Sequence, residues 1–113
     1  MDAEKVKYNL FEELVKHRAF WSFQNVRYEQ FEGKDEYLIE KVLIHLSKEQ
    51  VRKLFKLYPE KLIKQVWKQN ILIQDPYFHY LNIYYATLFY PKKNPDKYVK
   101  RAHYYLLKKR LAS

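Results

Sequence analysis

Apolar residues recur along this chain at intervals of three and four, the spacing of helices that each bury one face. Val6, Leu10, Phe11, Leu14 and Val15 make the first such stripe and predict a helix from Ala3 to His17. Ala19-Phe20-Trp21-Ser22-Phe23 and the stretch from Asn25 to Gly33 lose the period, and read as a connection pinned by Phe20, Trp21 and Phe23. A short strand over Val26 to Phe31 is the alternative for part of it. Asp35 stands where an N-cap belongs, ahead of Leu38, Ile39, Val42, Leu43 and Leu46, so a second helix should start there and end near Leu46. Ser47-Lys48-Glu49-Gln50 has the form of a capping box before Val51, Leu54, Phe55 and Tyr58.

Three prolines mark the remaining starts, because proline at the first helical position gives up an N–H that has no partner there anyway. Pro59 opens a helix with Leu62, Ile63, Val66 and Trp67 on its inner face, expected to stop at Asn70; Ile71, Leu72 and Ile73 form a brief link. Asp75-Pro76 opens a helix from Pro76 to Phe89 that is apolar on nearly every side. Asn94-Pro95 opens the last, with Tyr98, Val99, Ala102, Tyr105 and Leu106 turned inward and a frayed end toward Ser113. The expectation is an all-α single domain of five or six short helices over residues 1–113, a helical bundle without internal repeats.

Composition supports that picture. A length of 113 residues with 48% hydrophobic and 19% aromatic side chains suits one packed core and excludes a disordered tail. A single Gly argues against glycine-rich phosphate loops and serial hairpins. No Cys means no disulfide, no thiolate nucleophile and no Cys-bound zinc. Met1-Asp2-Ala3-Glu4-Lys5 does not begin a basic-then-apolar signal sequence, and the uncharged run from Pro76 to Pro91 is too short and too polar to span a bilayer. The expected setting is the cytoplasm, away from membranes.

Charge changes the picture more. Lys plus Arg outnumber Asp plus Glu by 22 to 13, and the excess sits in residues 48–68 and 92–113. At about 100° per residue, Lys97, Lys100, Arg101, Tyr104 and Lys108 share an arc of the last helix, with Lys92 and Lys93 just before it. Lys61, Lys64 and Lys68 make a second stripe on the helix after Pro59. Two basic stripes are candidates to straddle a nucleic-acid backbone, DNA or RNA; a Lys-rich face that only keeps a Tyr-rich protein in solution is the competing reading. The consecutive helices from Ser47 to Asn70 invite comparison with a helix-turn-helix motif, but the Tyr58-Pro59 junction leaves almost no room for its turn. Tyr77, Tyr80, Tyr84 and Tyr85 exceed one helical face and suggest a protein-binding surface, whether for another protein or for a homodimer, with a central core helix as the alternative.

Catalytic patterns are missing. His17, His45, His79 and His103 include no pair at i, i+3 or i+4, so no metal or cofactor site is expected. The size and helicity suit a helical ribonuclease of the HEPN class, but none of Arg18, Arg27, Arg52, Arg101 or Arg110 is followed by His after four to six residues. The chain is not expected to be an enzyme.

Over residues 20–70 the motifs Phe20-Trp21-Ser22, Ile39-Glu40-Lys41-Val42-Leu43, Leu54-Phe55-Lys56-Leu57-Tyr58 and Ile63-Lys64-Gln65-Val66 resemble a small uncharacterised bacterial family. Its members are often encoded beside nucleotidyltransferase-like toxins of the abortive-infection type. The resemblance implies an antitoxin-like accessory role with such a toxin as partner. Beyond Trp67 the sequence departs from that family, placing Tyr-rich and Lys-rich helices where many members have a short basic and aromatic ending.

Overall fold

The computed structural model describes residues 3–17 and 34–112, and 84% of these are helical. Six α-helices and no strand occur among the described residues, so the fold class is all-α. The connection through Phe20, Trp21 and Phe23, and the strand alternative over Val26 to Phe31, lie outside them. The chain divides into two compact units, Met1–Ile63 and Lys64–Ser113.

In the first unit α1 (Ala3–Lys16), α2 (Asp35–His45) and α3 (Lys48–Leu57) each pack against the other two. Val6, Leu10, Phe11 and Leu14 of α1 meet Leu38, Ile39, Val42 and Leu43 of α2 and Val51 and Leu54 of α3 in a core that is aliphatic apart from Phe11. Val15, expected on the buried stripe, is exposed, because nine residues at about 100° each put it opposite Val6. Ser47 caps α3 as expected, its Oγ accepting from the Gln50 N–H at 3.5 Å; the reciprocal half of the box is not made, and Gln50 Oε1 is buried without a partner. Asp35 does not cap α2. It is the first helical residue, and its carboxylate accepts from Tyr58 Oη at 2.5 Å while Lys7 Nζ lies 3.4 Å away. A tertiary partner with a positive neighbour displaces the local backbone bond that the sequence suggests.

α4 (Glu60–Val66) starts just after Pro59, and the unit boundary falls inside it. The expected continuation to Asn70 is replaced by a π-helical turn over Trp67–Ile71 and a 3₁₀ turn over Leu72–Gln74. In an α-helix Leu72 would point about 140° away from Trp67. The wider turn, closed by the Leu72 N–H on the Trp67 carbonyl, lets Trp67, Ile71 and Leu72 all be buried.

In the second unit α5 (His79–Phe89) begins three residues later than Pro76, after a turn over 75–78 in which the His79 N–H bonds the Pro76 carbonyl at 3.0 Å. α5 is less uniform than its composition suggests: Asn82, Tyr85, Ala86 and Phe89 form the buried face, and Tyr80 and Leu88 are exposed. The last helix, α6 (Pro95–Ala112), starts as expected, with Asn94 Oδ1 accepting from the Lys97 N–H at 3.1 Å. Val99 is its buried anchor, whereas Tyr105, expected to face inward, is exposed.

The core of this unit is aromatic and carries a buried amide. Trp67 lies 5.5 Å from Phe89 and 6.3 Å from Tyr85 between ring centroids, and its Nε1–H donates to Asn82 Oδ1 at 3.0 Å. Asn82 in turn donates to Asp75 Oδ1 at 3.0 Å and to the Ile71 carbonyl at 3.4 Å, so the amide is satisfied on both sides. His79 bridges outward, with Nδ1 3.1 Å from Asp75 and Nε2 3.5 Å from Asp96, and Asp96 also pairs with Lys100 at 3.2 Å.

Candidate nucleic-acid interface

In the second unit three lysines gather around two tyrosines. Tyr90 ends α5, its N–H on the Ala86 carbonyl and its own carbonyl accepting from the Lys93 N–H at 3.1 Å, which holds the short connection to α6. Tyr98, in the first turns of α6, lies against it with ring centroids 4.5 Å apart. Lys64 and Lys68 approach from the chain leaving α4, four residues apart and so on one side of it. Lys64 Nζ is 4.8 Å from the Tyr90 centroid, Lys68 Nζ 5.2 Å and Lys93 Nζ 5.5 Å; Lys68 and Lys93 also lie 6.0 and 5.4 Å from the Tyr98 centroid.

Three ammonium groups on one ring are at most about 11 Å apart, a separation comparable to the Debye length in physiological salt. Among the described residues none of the three pairs with a carboxylate. The ring quadrupoles hold the cations in place without cancelling their charge.

The phenols register the field. Burial alone pushes the Tyr90 hydroxyl up, but hydrogen bonds with Lys68 and Tyr98 and the positive charge of Lys68 and Lys64 outweigh it and bring Tyr90 below the ordinary tyrosine value. Tyr98 is moved up by burial and by its hydrogen bond with Tyr90, against the opposing pull of Lys68. Burial pushes Lys68 down, yet the two phenols overcome it and raise it above the usual lysine value, so the cation persists at neutral pH.

Of the basic residues singled out from the sequence, Lys64, Lys68 and Lys93 are brought together in this cluster. Lys97, Lys100, Arg101, Tyr104 and Lys108 are all exposed along α6, with Lys100 engaged by Asp96. Lys92 is exposed in the connection before α6, and Lys61 is exposed on the part of α4 that belongs to the first unit. The four tyrosines proposed for a protein partner separate. Tyr77 and Tyr80 stand 82% and 90% exposed, and Tyr84 is half-buried against Tyr85. Tyr85, only 2% exposed, belongs to the core, because it follows buried Asn82 by three residues and shares its inward face.

Sequence reasoning missed the two tyrosines of the cluster. Tyr98 lies on the inner side of α6, as its spacing predicts, but nothing local pairs it with Tyr90; the available signal is the Lys64, Lys68 pair at i, i+4, which needs ring partners that only tertiary structure supplies. It also missed the chain from Trp67 to Lys100, although Asn82 at an inward position of an apolar helix, and Asp75 and His79 at i, i+4, were visible. No group of three or more Asp, Glu or His among the described residues is arranged to hold a metal ion. No described helix is long and apolar enough to cross a membrane. No protein-family model, no curated protein and no solved structure matches this chain.

Proposed function

We propose that the protein is a non-enzymatic binding protein whose Lys64–Ser113 unit grips the phosphates of a nucleic acid. The observation that carries this reading is the gathering of Lys64, Lys68 and Lys93 on Tyr90 and Tyr98 with no described carboxylate to neutralise them. A phosphate oxygen takes hydrogen bonds from ammonium groups, relieves their repulsion and releases condensed counterions. Tyr90 and Tyr98 are occupied by each other and by the lysines, so the cluster acts on the backbone.

The family resemblance extends this to an antitoxin-like accessory role, with a nucleotidyltransferase-like toxin as the protein partner. Exposed Tyr77 and Tyr80 favour a protein contact at the start of α5, since wet tyrosines are common anchors of interfaces. A cytoplasmic setting goes with both parts of the reading.

The test is the salt dependence of duplex DNA binding by fluorescence anisotropy. Log affinity should fall against log salt with a slope of about −0.9 for each phosphate neutralised, and the triple substitution K64Q/K68Q/K93Q should flatten it by up to about three such increments. An unchanged slope, or no binding at low salt, would assign the lysines to a solvated face and leave a protein-interaction module, homodimeric or otherwise.

A further inference from the structure

α6 presents two different outward surfaces along its length. Its inner side is fixed by buried Val99 and half-buried Tyr98, Ala102 and Leu106. On the outer side the first half carries Lys97 and Lys100; the second half carries Tyr104, Leu107 and Leu111, all exposed, with Tyr104 at 68% and Leu111 at 87%. These three are spaced by three and then four residues. At about 100° per residue Tyr104 and Leu111 lie within about 20° of each other and Leu107 about 60° from the one and about 40° from the other, making one seam on the outer side of α6. That is the spacing at which apolar side chains seat between those of a facing helix.

The residues bordering the seam indicate what covers it. Arg101 and Lys108 occupy one flank and Arg110 the other, and the acid of α6 is Asp96, two turns before the seam. In paired helices the flanking charges select the partner. A second copy of α6 in either direction would set these cations against cations. Nucleic acid offers nothing to Leu107 and Leu111, which carry neither charge nor donor. We infer that the seam of Tyr104, Leu107 and Leu111 docks an acidic amphipathic helix of another protein, whose apolar row packs on the seam while its carboxylates meet Arg101 and Lys108.

Two synthetic helical peptides of three heptads test this on the full chain. Both carry Leu at the a and d positions; one has Glu at every flanking position and the other Lys, so that each repels itself. Isothermal titration calorimetry should show saturable one-to-one binding of the Glu peptide, at least about tenfold tighter than the Lys peptide. L107S/L111S should weaken the Glu peptide by a similar factor while leaving the helical circular dichroism and the salt slope of DNA binding unchanged. Lys108→Glu should narrow the preference between the peptides, a change that does not depend on removing apolar surface. Equal binding of the two peptides, binding of neither, or full retention of affinity in L107S/L111S would overturn the inference. Sedimentation showing a dimer that L107S/L111S dissolves would overturn it in favour of a second copy.

Discussion

The two units handle charge in opposite ways. Met1–Ile63 carries 12 basic and 11 acidic side chains, and Lys64–Ser113 carries 10 basic and 2 acidic ones. In the first, Lys7 lies against both Asp35 and Glu4, and Tyr58 adds its hydroxyl to Asp35. In the second, both carboxylates are committed elsewhere: Asp75 to Asn82 and His79, Asp96 to His79 and Lys100. Lys64, Lys68 and Lys93 are left with aromatic rings for company. Net charge thus becomes a local cluster of cations without carboxylate partners only where the nearby carboxylates already have other partners.

The same contrast runs through the cores. Leu, Ile and Val dominate the first, while Trp67, Tyr85 and Phe89 surround an amide in the second. The largest expected effect follows from that difference. Trp67→Ala should cost about 3 to 5 kcal/mol in urea denaturation, through the cavity and the orphaned amide together. Trp67→Phe separates the two, since it keeps most of the volume but leaves Asn82 Oδ1 without its donor, at about 1 to 3 kcal/mol. If Trp67→Phe proved neutral, the buried amide would not distinguish this core from the aliphatic one.

A smaller effect is expected in the first unit. Tyr58→Phe removes one hydrogen bond to a half-exposed carboxylate that Lys7 still accompanies, so the loss should be about 1 kcal/mol by the same measurement. A loss as large as that of Trp67→Ala would mean that the Asp35 cluster is as critical to its unit as the buried amide is to the other.

How far these features were legible depends on whether they are local. The helix periods, the Asn94 cap and the inward rows of α2 and α3 follow from residues a few positions apart, and they appear as expected. Asp35 has the look of a cap and Asp75-Pro76 that of a helix start because the local pattern is the same whether a carboxylate turns to the backbone or to Tyr58 or Asn82. Val15 differs for a simpler reason: it is apolar, but at nine residues from Val6 it stands on the opposite side of α1. Lys64, Lys68 and Lys93 were each visible as charge, but their convergence on Tyr90 and Tyr98 depends on how α5 and α6 meet.

The smallest effects appear on titration at alkaline pH. Tyr90, lowered by its cations, contributes stability that grows as pH rises through its folded-state value and is complete above the ordinary tyrosine value of about 10. Lys68, raised by the two phenols, contributes stability that is complete below the ordinary lysine value of about 10.4 and is lost as pH rises through its folded-state value. Phenolate absorbance should therefore show an early component that Tyr90→Phe removes and Lys68→Gln shifts upward. If Lys68→Gln left the early phenol in place, the field at Tyr90 would have another origin and the contrast between the units would weaken.

The most direct measurement puts phosphate on the cluster and watches Tyr90 itself. Ring-carbon NMR of labelled tyrosine would follow its ionisation at low salt, with and without a saturating oligodeoxyadenylate, whose bases do not ionise in this range. Phosphates seated on Lys64, Lys68 and Lys93 neutralise the charge that holds Tyr90 down, so its ionisation should move up toward the ordinary value of about 10. A Tyr90 titration unaltered by bound oligonucleotide would contradict phosphate binding at this cluster.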